Sequence, residues 1–299
     1  MEFKVGKFGS IVNGFAMDDA DMDITIMTNS YINERDFLEI LSGFLKMRLN
    51  SHDYSVKNIP NANVPLIKLV RKHRSVRNGK IDVDILVNNI CGMINSEYLR
   101  TYSELKSVKH LGVLIKIWAK NNGLISMNRL SSYSFMLMMV YYLIKKNVVP
   151  NILKPIGNKQ ASIVVKRRKR TEETFKIENY FETEVDPKYR RKFNLYEHLM
   201  GFMRFYSPKG EFWKGKPLIC FDTQASRKID PKTMLTIKDP FDKPHNPGRA
   251  YARDKPTYMH QFDKAYNCLD NQRRASIEAM FTGRLGFDLS LLRSKWGLK

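Results

Sequence analysis

Apolar and polar positions change period along this chain. Ile24-Thr25-Ile26 alternates as a strand does, and KIDVDILVNN (80–89) repeats that alternation. NVPLIKLV (63–70) reads as a third strand, with Pro65 near its start and Lys68 the only charge inside its apolar run. Ile32–Leu49 sets Phe37, Leu38, Ile40, Leu41, Phe44, Leu45 and Leu49 at helical spacing, which predicts an amphipathic helix backing the sheet. Further on, the period is mostly helical. LGVLIKIWAKNNG (111–123) is a helix closed by Asn121-Asn122-Gly123. LSSYSFMLMMVYYLI (130–144) starts with a Ser-rich cap and continues as a core helix. NLYEHLMGFMRFYS (194–207) and the face Tyr258, Phe262, Ala265, Tyr266, Leu269 are helical too. Residues 145–194 carry the weakest pattern, and the charged stretch 171–192 reads as an insertion. Pro240, Pro244 and Pro247 exclude a long helix over 237–249 and predict a stiff loop.

Composition narrows the class. The 299 residues suffice for two domains sharing a cleft, and 43% hydrophobic residues support a packed core. The net charge of +21, from 51 Lys and Arg against 30 Asp and Glu, implies a polyanionic partner. No run of about 18 apolar residues exists, so no membrane span is expected. Residues 1–8 hold no signal-peptide core. Cys91, Cys220 and Cys268 are scattered without CxxC spacing, which argues for a reducing, intracellular compartment and against a zinc finger.

The densest candidate chemistry lies in FGSIVNGFAMDDADMDITI (8–26). Asp21 and Asp23 are two apart on a strand, so both carboxylates aim at one place. Their repulsion calls for a divalent cation, and hard oxygen ligands suit Mg²⁺ or Mn²⁺. Gly9-Ser10 lies upstream, where a turn can bring N–H groups and a hydroxyl against phosphate. Asp82 and Asp84 share one face of the 80–89 strand, and a third acidic strand end is what a two-metal nucleotidyl-transfer site requires. Lys116 and Lys120 are neighbours on one helix face, a repelling pair that a triphosphate between them would reconcile. The basic turn 71–80 and the run Lys166–Arg170 fit solvated loops or RNA-backbone contacts, and the latter also a nuclear-import signal.

These stretches resemble a family. FGSIVNGFAMDDADMDI, DILVNNICGMINS (84–96), LIKIWAKNNGLISMNRLSSYSF (114–135) and IKDPFDKPHNPGR (237–249) occur in the order seen in noncanonical poly(A) polymerases and terminal uridylyltransferases, a branch of the DNA polymerase β-like nucleotidyltransferases. The family commonly has Ser where Ala20 stands, and usually a helical segment before the Gly-Ser motif, where only residues 1–8 stand here. The resemblance implies catalysis by Asp21, Asp23 and Asp84 with two Mg²⁺ or Mn²⁺ ions. It implies nucleotide binding by Gly9, Ser10, Lys68, Gly92, Asn95, Ser96, Lys116, Lys120, Ser132, Tyr133, Asp239, Asp242 and His245. Asn95 and Ser96 would hold the ribose, although Asn95 also suits a helix cap. Lys68 would face the triphosphate or the RNA 3′ end, or else snorkel from a strand edge. Tyr133 would stack on the base, and the 237–249 loop would close over it.

The fold expected from the resemblance is α+β: a nucleotidyltransferase palm with a mixed sheet (1–92), then a mostly helical nucleotide-recognition domain (93–299). The latter would include a poly(A)-polymerase-associated region at 194–250. The expected function is template-independent addition of UMP from UTP to RNA 3′ ends, by a monomer or a subunit of an RNA-processing complex. The cytoplasm ranks ahead of mitochondrion or nucleus. A poly(A) polymerase using ATP is the alternative within enzymes, and an RNA-binding protein with an inactive transferase body the alternative outside them. His245 is the discriminating residue: a protonated ring nitrogen donates to uracil O4 and gains nothing from an adenine amino group.

Overall fold

The computed structural model describes the chain except residues 1, 19, 30–31, 63, 73–79, 127, 157–161, 169–170, 178, 191–193, 244, 272–279 and 282–299. The centre of the basic turn, the tip of the Lys166–Arg170 run and the carboxy-terminal stretch with Trp296 lie outside the described residues. The chain divides into two compact units. One holds Met1–Ser103 and Pro155–Tyr180, the other Glu104–Lys154 and Phe181–Lys299.

The first unit is built on a five-stranded mixed sheet. Its strands are β1 (Phe3–Phe8), β2 (Met22–Thr28), β3 (Tyr54–Ile59), β4 (Leu66–Lys72) and β5 (Lys80–Val87), in the order β1-β2-β5-β4-β3. Only β2 and β5 run parallel; the other neighbours are antiparallel. Period-2 alternation gives this sheet two unlike faces. Ile24, Ile26, Val56, Ile67, Leu69, Val83, Ile85 and Val87 share one face and pack with Leu38, Phe37, Leu41 and Leu45 of helix α2 (Glu34–Arg48). A short helix α1 (Gly9–Val12) follows β1, and α3 (Ile90–Ser103) follows β5.

Helix α2 backs the sheet with fewer residues than its pattern suggested. Ile40 is 74% exposed and Phe44 47%. The apolar residues span more than one face: at about 100° per residue, Ile40 sits roughly 200° from Leu38.

The second unit is mainly helical: α4 (Lys106–Asn121), α5 (Ser132–Lys145), α6 (Leu195–Tyr206) and α7 (Lys255–Asp270). Aromatic rings fill its interior. Phe262 of α7 lies 4.9 Å from Trp118, 5.8 Å from Phe202 and 5.6 Å from Tyr206, centroid to centroid. The buried Tyr258 hydroxyl donates to Leu124 O and accepts from Leu130 N, tying α7 to the α4–α5 connection. Gly123, at φ +64°, ends α4 where the sequence placed its stop.

The 145–194 stretch is more regular than its pattern indicated. It contains strands β6 (Leu153–Pro155), β7 (Ser162–Arg168), β8 (Thr171–Ile177) and β9 (Asn179–Phe181), with β7 and β8 paired antiparallel. The β-branched Ile163-Val164-Val165 and Thr171 and Thr174 favour a hairpin, which the charge density hid. Two short parallel strands, β10 (Leu218–Ile219) and β11 (Thr236–Ile237), lead into the proline-rich loop. Among the described residues no helix is long and apolar enough to cross a membrane.

Candidate active site

Register places the charged groups of the first unit. Asp23 of β2 is the Cα partner of Asp84 of β5, and Asp84 is the partner of Lys68 of β4. Residues on one rung point to one face. The three charges therefore project from the face opposite α2. Lys68 Nζ donates to Asp21 Oδ2 at 3.1 Å and to Asp84 Oδ1 at 3.2 Å.

This cluster is half open to water. The side chains of Lys68, Asp21 and Asp84 are 31%, 42% and 22% exposed. Burial opposes the charge on Lys68, but hydrogen bonds to Asp21 and Asp84, with their negative charges, outweigh it and raise its pKa above the ordinary value. Asp84 is raised as well, against the usual expectation for an ion-paired carboxylate. Burial is the largest cause. Lys68 pulls the other way without cancelling it, and the charges of Asp21 and Asp82 add to the rise. One ammonium does not satisfy this much acidity.

The Gly-Ser turn is fitted around Asp23. Gly9 has φ +76°, and a Cβ there would stand 1.8 Å from Asp23 Oδ2. Only glycine allows both the backbone conformation and the approach. Gly9 N donates to Ser96 Oγ at 2.8 Å, and Ser96 Oγ donates to Gly92 O at 2.7 Å. The Ser96 hydroxyl thus locks α3 to the turn. Gly92 is fixed by Asn89, whose Oδ1 accepts its N–H and whose amide nitrogen lies 2.3 Å from where a Cβ would be. Asn89 N in turn donates to the buried Thr25 Oγ1 at 3.0 Å. Asn95 is buried on α3, and Ser10 is half-buried in α1.

No three His, Cys, Asp or Glu side chains among the described residues gather as a ready metal-ligand group. Asp23 turns toward Gly9, while Asp21 and Asp84 share Lys68. The donor set still suits a hard divalent cation: all donors are carboxylate oxygens, and two of them already hold one cation between them.

In the second unit the candidate residues collect around Asp239. Its side chain is 1% exposed. Oδ1 accepts from Phe241 N at 3.1 Å and from Asp242 N at 3.0 Å. Oδ2 accepts from the Tyr133 hydroxyl at 3.2 Å and lies 3.1 Å from His245 Nδ1. Burial pushes the Asp239 pKa up, but His245 and the two backbone N–H groups overcome it, so the net shift is downward and the carboxyl stays ionised. A carboxylate has only acceptors, so Nδ1 of His245 carries the proton and Nε2 is left for other partners. Asp242 is buried and accepts from His245 N through its backbone O at 2.8 Å. Lys116 is buried and Lys120 half-buried on α4, and Ser132 opens α5 behind the capping box of Ser131 and Ser134.

The supports were harder to read than the reactive groups. Asn246 Oδ1 accepts from Ile237 N and Gly248 N, and buried Ser134 Oγ donates to Pro247 O at 2.8 Å; together they pin the loop. Thr25, Asn89, Ser134 and Asn246 were not singled out as site residues. Asn246, inside a proline-rich turn, carried a signal as an Asx-turn former; the others carried none.

The chain is similar in sequence and fold to known proteins. Residues 1–104 match the model of the central palm domain of the mitochondrial-like poly(A) RNA polymerase. The chain is 28% identical over 267 residues to terminal uridylyltransferase cid1 of Schizosaccharomyces pombe, covering 81% of this chain and 62% of that one. It is 28% identical over 275 residues to terminal uridylyltransferase 4 of Homo sapiens, covering 84% and 16%. Poly(A) RNA polymerase GLD2 of Homo sapiens is 25% identical over 284 residues, covering 89% and 56%. This chain spans less than two thirds of each of these relatives. A crystal structure of a mutant Cid1 poly(U) polymerase bound to MgATP superposes with a TM-score of 0.72 at 24% identity, over 94% of this chain and 86% of that one. The fold is that of a nucleotidyltransferase palm with a mixed sheet, accompanied by helices, and the chain is similar to terminal uridylyltransferases and poly(A) RNA polymerases.

Proposed function

We propose that this chain, similar over most of its length to terminal uridylyltransferases and poly(A) RNA polymerases, adds nucleotides to RNA 3′ ends without a template, with UMP from UTP the preferred addition. The observation that carries the reading is the rung Asp23–Asp84–Lys68 with Asp21 beside it, set against the Gly9 turn. Asp21, Asp23 and Asp84 are the residues that would hold two Mg²⁺ or Mn²⁺ ions. Bound there, the ions supply Lewis-acid stabilisation of the phosphate and activation of the RNA 3′-hydroxyl.

The remaining residues bind and orient. Ser10, Lys116, Lys120 and Ser132 take the triphosphate, and Tyr133 offers a ring to the base. Asn95 takes the ribose 2′-hydroxyl, a contact that a deoxynucleotide cannot make. Ser96 and Gly92 act by fixing the turn, because the Ser96 hydroxyl is committed to Gly9 and Gly92. The net charge of +21 supports an RNA substrate held by the body of the protein.

Base choice rests on His245 and Asp239. With Nδ1 held by an ionised carboxylate, Nε2 donates to uracil O4 only when the ring is protonated. A neutral ring offers Nε2 as an acceptor, which an adenine amino group satisfies. Addition of UMP to a labelled oligo-RNA, with each nucleoside triphosphate supplied alone, tests the reading. Efficient extension with UTP supports it. A higher rate with ATP transfers the reading to poly(A) synthesis, which the GLD2 similarity also favours.

A further inference from the structure

We propose that Lys68 is a displaceable internal cation: its ammonium holds the Asp21 and Asp84 carboxylates until a divalent ion takes the same oxygens, and the two cations exclude one another. The inference rests on the reading of these carboxylates as metal ligands and goes beyond it.

Three observations carry it. First, Nζ lies 3.1 Å from Asp21 Oδ2 and 3.2 Å from Asp84 Oδ1, between two groups that otherwise repel. Second, the sheet dictates this contact. Lys68 and Asp84 are Cα partners on hydrogen-bonded strands, and Ile67 beside Lys68 is fully buried against α2. The lysine backbone cannot withdraw, so the side chain alone can move, along a flexible four-carbon stem. Third, the cluster is half exposed, so an ion from solvent reaches it without opening the fold.

A divalent ion taking one oxygen from each carboxylate lies where the ammonium now lies, and like charges at that distance repel. Metal entry therefore swings Lys68 outward. The released ammonium remains at the edge of the site, a positive group available to phosphate oxygens arriving with substrate. Before metal arrives, the same group keeps the carboxylates from destabilising the sheet.

The test is Mn²⁺ binding to the full chain without nucleotide or RNA, read by calorimetry and paramagnetic broadening. Melting with chelator and with Mn²⁺ accompanies it. Lys68→Met should bind Mn²⁺ about tenfold more tightly than wild type, within the range usual for competing linked sites. It should melt lower in chelator, and Mn²⁺ should close the gap. Lys68→Arg, which keeps the charge, should bind no more tightly than wild type. Lys68→Gln replaces Lys68→Met if the latter does not fold. Unchanged or weaker Mn²⁺ affinity in the neutral variants, with binding abolished in Asp84→Asn, overturns the proposal and leaves the metal assignment standing. Wild-type Mn²⁺ affinity in Asp84→Asn overturns the assignment beneath it.

Discussion

Asp84 and Asp239 are both acids drawn out of water, one in each unit, and their pKa values move in opposite directions. The more deeply buried of the two is the stronger acid. Asp239 gathers two backbone N–H groups, a tyrosine hydroxyl and an imidazole. Asp84 has the Lys68 ammonium against burial and two acidic neighbours. Burial weakens an acid only as far as donors fail to replace the lost water. A carboxylate fully supplied with donors is architecture; one left undersupplied still has capacity for another ligand. By that measure Asp239 shapes its loop and Asp84 awaits a reactant.

The widest separation between the two should appear in activity. Asp84→Asn removes a charge the proposed transition state depends on. Single-turnover RNA extension should fall at least about a hundredfold while the chelator melt barely moves. Extension near the wild-type rate would erase the distinction. Asp239→Ala should do the reverse in kind. It strips partners from buried donors and should cost about 3–5 kcal/mol in urea unfolding. A loss below about 1 kcal/mol would show that the loop does not depend on this hub.

Base selectivity sharpens the contrast at smaller scale. His245→Ala should lower the UTP/ATP preference about 10- to 100-fold while leaving extension itself intact. An unchanged ratio would remove His245 from base recognition and leave Asp239 a purely structural role.

The smallest effect is in the pH dependence of stability. The Asp239 pKa is depressed by folding, so its contribution is present above the ordinary carboxylate range and is lost as pH falls through the depressed value. The Asp84 pKa is raised, so its ionisation costs stability, and acidification through the raised value removes that cost. Melts of Asp84→Asn and wild type should therefore converge in mild acid, by less than about 1 kcal/mol given solvent screening. Convergence of Asp239→Ala with wild type should require stronger acid. The opposite order would contradict the comparison.

The aspartates were legible as a motif because their spacing is local: Asp21 and Asp23 stand two apart where β2 begins, although Asp23 turns toward Gly9 and Asp21 toward Lys68. Their neighbours were not. That Lys68 meets Asp84 follows from β4 pairing beside β5, a register that no window of sequence contains. Ser96 read as a ribose contact, yet its hydroxyl reaches back 87 positions to Gly9. The loop residues Asp239 and His245 were legible through the resemblance, but their contact with each other was not, and the third member, Tyr133, lies 106 positions upstream. Helix α2 read as one broad apolar face because composition does not say how many of its residues a sheet can cover.

Gly9 carries a consequence for how this chain tolerates change. A saturation library across the first unit should find position 9 as intolerant as the carboxylates, although glycine offers nothing that ionises or reacts. Any other residue would push a β-carbon into the Asp23 carboxylate, on a backbone already in the left-handed region. The loss would track side-chain size only weakly, since alanine already meets the obstacle. In such a screen the site's most constrained feature would be an empty volume.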